Sequence, residues 1–164
     1  MAQTSFIKFN YTIYNMKPIK TGIKVSEAMS TNPVVISKNE SITQCARKML
    51  ANNVGAIIIK DKDKIEGIIT EKDIVEEVVA KELNIKKTKV KDIMTTGMIT
   101  ISPNEDLSKA VDVMIRENVR RLPVIVNQKI VGLLTVKDIL NAHPKLFKML
   151  YDCFLLKNVS KYKK

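Results

Sequence analysis

The sequence predicts an α/β (α+β) fold in which two similar halves form one pseudo-symmetric unit. The first observation is an internal repeat: residues 25–75 align without a gap on residues 90–140, and roughly a third of the positions are identical. The second is a helical spacing of apolar residues in each half. The third is a pair of short β-branched runs after each helix. Two copies do not make a solenoid, so a pair with closed pseudo-twofold symmetry is expected.

Each half is predicted to begin with a short strand, at 34–36 and at 99–101. The helix that follows carries apolar residues at i, i+3, i+4, i+7 and i+8, which gives it one buried face. These residues are Ile42, Cys45, Ala46, Met49 and Leu50 in the first half, and Leu107, Ala110, Val111, Met114 and Ile115 in the second. Because Cys45 aligns with Ala110, it is interpreted as a small core residue and not as a reactive thiol.

A β-hairpin is predicted after each helix, because two apolar runs flank a short polar break. The runs are 56–59 and 65–69 in the first half, and 122–126 and 130–134 in the second. A second helix is predicted to start at Thr70 and at Thr135, and the first of these continues through Leu83. Each half therefore reads as strand–helix–strand–strand–helix.

The charge of the chain is concentrated at its ends. The 164 residues carry a formal net charge of +11, of which residues 1–24 contribute +4 and residues 141–164 contribute +5. We divide the chain into a basic extension (1–23), a first repeat (24–84), a second repeat (85–142) and a basic amphipathic helix (143–164). The extension includes an alternating stretch from Phe6 to Ile13, a candidate edge strand. Basic termini raise nucleic acid as a partner, although a solvated lysine-rich surface also explains them.

Composition argues against several classes of protein. Two cysteines and one histidine, His143, are too few for a disulfide scaffold or for the usual metal-ligand sets, so no metal site is predicted. No nucleophile and base pair is visible, and an enzyme is not expected. His143 precedes Pro144 and is interpreted as a helix cap. The sequence has no run of about 18 apolar residues and no signal-peptide pattern, which favours a reduced, cytoplasmic protein without a transmembrane segment.

The strongest local motif is Gly-x-x-Thr-x-x-Asp, found at residues 67–73 and again at 132–138. One interpretation is a capping box, in which the Thr oxygen caps a helix and the Asp side chain bonds back to the cap. The other is a ligand site: Gly allows a backbone or a ligand to approach, Thr and a helix start can bind phosphate or sugar oxygens, and Asp can accept from a ribose diol. Both can hold at once.

A second motif, Arg120-Arg121-Leu122-Pro123-Val124, starts a strand with two arginines. Guanidinium groups bind phosphate through two parallel hydrogen bonds, although a solvated pair is an equal alternative. In the first repeat Gly55 and Ala56 stand at these positions, so the two copies have diverged here.

With these motifs in place, the repeat resembles a pair of CBS domains, the modules named after cystathionine β-synthase. The resemblance rests on residues 29–36 and 94–101, on 120–124 and on both Gly-x-x-Thr-x-x-Asp stretches, and it covers about residues 24–142. It implies a pseudo-twofold pair of motifs whose two clefts bind adenosine-containing ligands such as AMP, ADP, ATP or S-adenosylmethionine. It also implies a homodimer, in a parallel or an antiparallel arrangement.

The resemblance implies which residues form each cleft. One cleft would combine Thr70 and Asp73 with Met98, Ile99, Arg120, Arg121, Leu122 and Pro123. Here Asp73 would hold the ribose, Thr70 and the arginines would face phosphates, and Met98, Ile99 and Leu122 would enclose adenine. The other cleft would combine Thr135, Asp138 and Leu133 with Pro33, Val34, Val54, Gly55, Ala56 and Ile57, with backbone near Val34 and Ala56 reading the adenine edge.

The predicted function is therefore a regulatory, ligand-sensing module that signals to a separate partner protein. No cofactor is required in this interpretation beyond the adenosine ligand itself. The arginine-bearing cleft is predicted to prefer phosphorylated adenosine, and the Gly55–Ala56 cleft a less anionic ligand or none. The alternative is a nucleic-acid-binding protein that uses its basic termini.

Overall fold

Two β-hairpins, each packed against helices, form the two halves of the molecule. The computed structural model describes residues 20–62, 64–146 and 150. In the first half, α1 (Val25–Ala28), β1 (Val35–Ile36) and α2 (Ile42–Asn52) precede the hairpin β2 (Ala56–Asp61) and β3 (Lys64–Thr70), which leads into α3 (Glu71–Asp73). The second half contains α4 (Leu107–Arg116), the hairpin β4 (Arg121–Val126) and β5 (Lys129–Thr135), and α5 (Val136–Ala142). Both predicted hairpins are confirmed, whereas the predicted edge strand at 6–13 and most of the predicted terminal helix lie outside the described residues.

The first strand differs between the halves. In the first half β1 pairs in parallel with β2, and the Ile58 N–H donates to the Val34 carbonyl at 3.0 Å. In the second half the predicted strand at 99–101 is reduced to one bridge between Ile101 and Val124. The repeat explains this, because Pro123 stands where Ile58 stands and has no N–H to donate. The strand prediction for 99–100 was wrong for that reason.

The two halves exchange their leading segments. We call residues 20–30 the first leader and residues 85–95 the second leader. Val25 of the first leader is fully buried in the core of the second half, and Val90 of the second leader is fully buried in the core of the first. The exchange is symmetric in its hydrogen bonds: Val25 N–H donates to Glu105 O at 2.8 Å and Val90 N–H to Glu40 O at 2.9 Å. The first leader thus completes the hydrophobic core of the second half, and the second leader completes the core of the first half.

The helix starts are capped by side chains. Ser41 forms a capping box with Gln44 at the start of α2. Asp106 caps α4 through Ser108 and also accepts from Thr21 and Gly22 of the first leader, at 2.9–3.2 Å. His143 is the C-terminal cap residue of α5, as predicted. Cys45 is fully buried in the core, as predicted, and burial raises the pKa of its thiol to about 11.

The helix after Thr70 departs from the expected geometry. Three α-helical residues are followed by a π-helical segment at Ile74–Val79, and the next turn ends with Leu83 N–H donating to Val78 O. The π-helical segment contains four β-branched residues, Ile74, Val75, Val78 and Val79. Side chains of this type lose rotamer freedom in a regular α-helix. The equivalent α5 is a regular α-helix.

The outer helix faces also differ. Leu50 is 84% exposed, and its neighbour Ala46 is exposed too, so the prediction that both are buried was wrong. The equivalent Ile115 and Val111 are packed in or against the second core, which also holds Leu146 and Leu150. The second core thus includes chain beyond α5, for which the first core has no counterpart among the described residues.

Candidate ligand clefts between the two repeats

Two matching Thr–Asp sites lie where the hairpins lead into helices. In the first, the Thr70 N–H and hydroxyl both lie 2.8 Å from Asp73 Oδ2, and the Asp73 N–H donates to Thr70 Oγ1 at 3.3 Å. In the second, Thr135 and Asp138 repeat these bonds at 2.8, 2.6 and 3.3 Å. The capping-box prediction is confirmed at both. Within the described chain each Asp uses Oδ2 alone for these bonds, which leaves Oδ1 to accept from a ligand.

The leader of one half lies against the Gly-x-x-Thr-x-x-Asp stretch of the other. Thr95 pairs with Ile68 through hydrogen bonds of 2.9 and 3.0 Å, and Ser30 pairs with Leu133 at the same distances. The glycines make this approach possible. A Cβ on Gly67 would lie 2.6 Å from Thr95 O, and one on Gly132 would lie 2.9 Å from Ser30 O. The interpretation that the glycine admits a neighbouring backbone is therefore confirmed.

Arg121 reaches from the second half to the first. A Cβ built on Gly55 would lie 3.0 Å from Arg121 Nη2 and 2.7 Å from Glu71 Oε2, so these two groups converge above that glycine. Glu71 directly follows Thr70, and its N–H donates to Gly55 O at 3.2 Å. The guanidinium therefore lies beside the helix start that carries Thr70 and Asp73, and beside Gly55, which was predicted for the other cleft.

The predicted site residues divide according to the faces of the sheets. Side chains alternate along a strand, and Ile57 and Leu122 are fully buried in the two helix-packed cores. Neither residue has exposed surface in the described structure, so the expectation that Leu122 encloses adenine finds no accessible surface at that residue. Partly accessible positions are Thr70, Asp73, Thr135, Asp138, Pro33, Val34, Val54, Gly55, Met98, Arg121 and Leu133, while Ile99 and Arg120 are exposed and Ala56 and Pro123 are buried.

Several residues at these clefts were not predicted. Ile58 is fully buried yet belongs to neither helix-packed core, which fits its position on the same sheet face as Ala56. Glu71 places a carboxylate beside Arg121, and Ser30 and Thr95 place leader backbone against the glycines. The alternation of side chains along a strand would have placed Ile58 on the same sheet face as Ala56. The 65-residue shift between the two repeats relates Ser30 to Thr95.

Comparison with known proteins agrees with this architecture. The family model for the CBS domain matches residues 25–80 and again 90–145. The chain belongs to the CBS-domain family. A CBS domain-containing protein of Bacillus subtilis is 30% identical over 70% of this chain and 81% of its own length. An uncharacterised protein of Methanopyrus kandleri is 33% identical over 76% of the chain, and the match spans 64% of that protein's length.

Solved structures share the same fold. A CBS-domain crystal structure is 28% identical with a TM-score of 0.69, covering 73% of this chain and 96% of that one. A CBS-domain protein of Pyrobaculum aerophilum, solved in complex with AMP, is 24% identical with a TM-score of 0.68 and covers 78% of this chain and 98% of that one. The fold expected from the repeat is confirmed, as a tandem CBS pair.

The described part of the CBS pair has neither a membrane-spanning helix nor a group of metal ligands. Residues 20–62, 64–146 and 150 contain no helix with both the length and the apolar character needed to cross a bilayer. In the same part of the chain no three His, Cys, Asp or Glu side chains are grouped as metal ligands would be.

Proposed function

We propose that this CBS pair is a regulatory module that binds an adenosine-containing nucleotide or an S-adenosylmethionine-type ligand between its repeats and signals to a separate partner protein. The observation that carries the proposal is the pair of Thr–Asp sites, each with a spare carboxylate oxygen, at the ends of two interlocked sheets. A ribose diol can donate two hydrogen bonds to such a carboxylate. The AMP complex of the Pyrobaculum protein is consistent with this at the level of the fold.

The cationic group gives the two clefts different chemistry. Arg121 projects toward Gly55 and Glu71, beside the Thr70 helix start, whereas the aligned position in the first repeat is Ala56. Phosphate binds guanidinium through charge-assisted hydrogen bonds. The Thr70 cleft should therefore take a phosphorylated ligand, and the Thr135 cleft a less anionic one or none.

The test is a calorimetric titration of Arg121→Ala with AMP and with adenosine. A charge-assisted bond contributes about 1.5–3 kcal/mol, so AMP affinity should fall roughly ten- to hundredfold while adenosine affinity changes little. Arg47→Ala, which removes the same charge from an exposed position on α2, is the control and should leave both affinities unchanged. Unchanged AMP affinity in Arg121→Ala would contradict the assignment of the phosphate to this arginine.

We also propose that two copies associate through the outer helix face of the first repeat. Leu50 and Val75 are 84% and 56% exposed there and line one surface together with Met49 and Ile74, and Val79 is 59% exposed. An exposed apolar surface on a folded protein indicates an interface. A CBS-CP12 protein from bloom-forming cyanobacteria, 26% identical to this chain, is hexameric.

A further inference from the structure

A groove of about 540 Å³ lies along the outer edge of the first sheet. The groove is lined by residues 35–37 at β1, by Glu40 just before α2, by Gln44 and Lys48 on α2, and by Lys60 and Lys62 near the turn of the β2–β3 hairpin. Thr70 pairs with Ala56 at one end of β2, whereas Lys60 of the groove is four residues further along that strand, or roughly 14 Å away. Val35 directly follows Val34 of the Thr135 cleft, but none of the described residues lining the groove belongs to either predicted nucleotide cleft.

The sheet edge in this groove has unpaired backbone groups. Because Ile58 N–H donates to the Val34 carbonyl, the alternation of a parallel ladder turns the N–H and C=O of Val35 away from β2. The described strand order ends at β1, so no strand within the described chain covers this edge. An open edge of this kind is a template for a strand from another chain.

The charge of the groove is particular to the first repeat. Among the described residues that line the groove are three lysines (Lys48, Lys60 and Lys62) and one acidic residue, Glu40. At the aligned positions in the second repeat the three lysines are replaced by Val113, Ile125 and Asn127. The second repeat forms the equivalent helix and hairpin without lysines at these positions, so the stability of the fold alone does not require them.

We propose that this edge docks an extended acidic peptide from a partner protein as an added strand beside Val35. The peptide backbone would bond to the outward N–H and C=O of Val35, and its carboxylates would lie within reach of Lys48 and Lys62. A peptide matches the groove better than a nucleic acid does, because it supplies backbone donors and acceptors in the strand pattern. In addition, none of the described residues that line the groove is an aromatic on which a base could stack.

The probe is a fluorescein-labelled 12-residue peptide of alternating Glu and Val, titrated with the full chain in the absence of nucleotide. Fluorescence anisotropy should show binding with a dissociation constant below about 1 mM. Lys48→Val combined with Lys62→Asn, which installs the residues of the second repeat, should weaken binding roughly fivefold. Val35→Pro removes the outward N–H without touching the bonds to β2 and should weaken binding similarly.

The control is Lys129→Asn combined with Lys137→Asn, which removes the same charge from exposed positions of the second repeat. It should leave peptide binding unchanged, and the circular dichroism and melting temperature of every variant establish that it is folded. The variant that combines Lys48→Val with Lys62→Asn changes two exposed lysines and tests the proposal even if Val35→Pro does not fold. Absence of peptide binding, equal weakening by the control, or stronger binding of a 12-nucleotide single-stranded RNA to the same lysines would each overturn the proposal.

Discussion

The interlocking of the two repeats depends on Gly67, and Gly67→Ala tests it. An added Cβ would lie 2.6 Å from the Thr95 carbonyl oxygen, whereas ordinary contact begins at 3.4 Å. The atom in the way is backbone, so the second leader itself must move. That movement stretches both hydrogen bonds between Thr95 and Ile68, which are 2.9 and 3.0 Å long.

The expected cost follows from those two bonds and the overlap. Each backbone hydrogen bond contributes about 0.5–1.5 kcal/mol net, and overpacking costs about 1–3 kcal/mol. Alanine recovers about 0.4–1 kcal/mol through the unfolded chain. The midpoints of these ranges give a net destabilisation of about 3 kcal/mol, which corresponds to a fall in melting temperature of roughly 6–12 °C for a chain of this size.

The matched control is Gly55→Ala. The nearest atoms to its Cβ belong to the flexible ends of Glu71 and Arg121, which can move aside. The aligned residue in the second repeat, Arg120, shows that a side chain is accommodated at this position. The free energy of unfolding of Gly55→Ala, measured in urea, should stay within about 0.5 kcal/mol of the value for the unsubstituted protein. Equal free energies of unfolding for Gly67→Ala and Gly55→Ala would show that the second leader does not require glycine at position 67.

Three further predictions concern Asp106, which accepts hydrogen bonds from the first leader, and the outer helix face. Burial of Asp106 opposes its charged form, but hydrogen bonds from Ser108 and Thr21 hold the pKa of this carboxyl well below its usual range. The stabilisation is present above the ordinary Asp pKa of about 4 and is lost as the pH falls further, so Asp106→Asn should flatten the acid limb of a stability–pH curve. Asp106→Ala should cost about 1–2 kcal/mol at neutral pH in urea unfolding, since it removes a helix cap. Leu50→Glu should convert an assembled species to a smaller one in sedimentation velocity, whereas the exposed neighbour Ala51→Glu should not; assembly unaffected by Leu50→Glu would exclude this face as the interface.

Much of the fold could be predicted from local patterns that occur twice. The 65-residue repeat predicts both hairpins, both capping boxes and the burial of Cys45, because each of these depends on residues that are close together in sequence. The leader exchange was not predicted, because the contact of Ser30 with Leu133 joins residues about a hundred positions apart and leaves no local pattern. Likewise, nothing in the helical spacing shows that Leu50 lacks the cover that its aligned residue has.

The candidate clefts were predicted less completely than the fold. The guanidinium of Arg121 lies near Gly55 and Glu71, whereas Ile57 and Leu122 lie in the two helix-packed cores. Strand alternation decides which residues of a strand face a core. The shortened strand at Ile101 could have been predicted from Pro123, since proline cannot donate to the ladder.

Recognition of an adenosine-containing ligand by this CBS pair is tested by isothermal titration of the full chain with AMP, ATP, S-adenosylmethionine and methylthioadenosine, with GMP as the control for the base. We expect micromolar binding of at least one adenine ligand and no binding of GMP, with a stoichiometry that gives the number of working clefts. Binding of none of the adenine ligands, or equal binding of AMP and GMP, would contradict it.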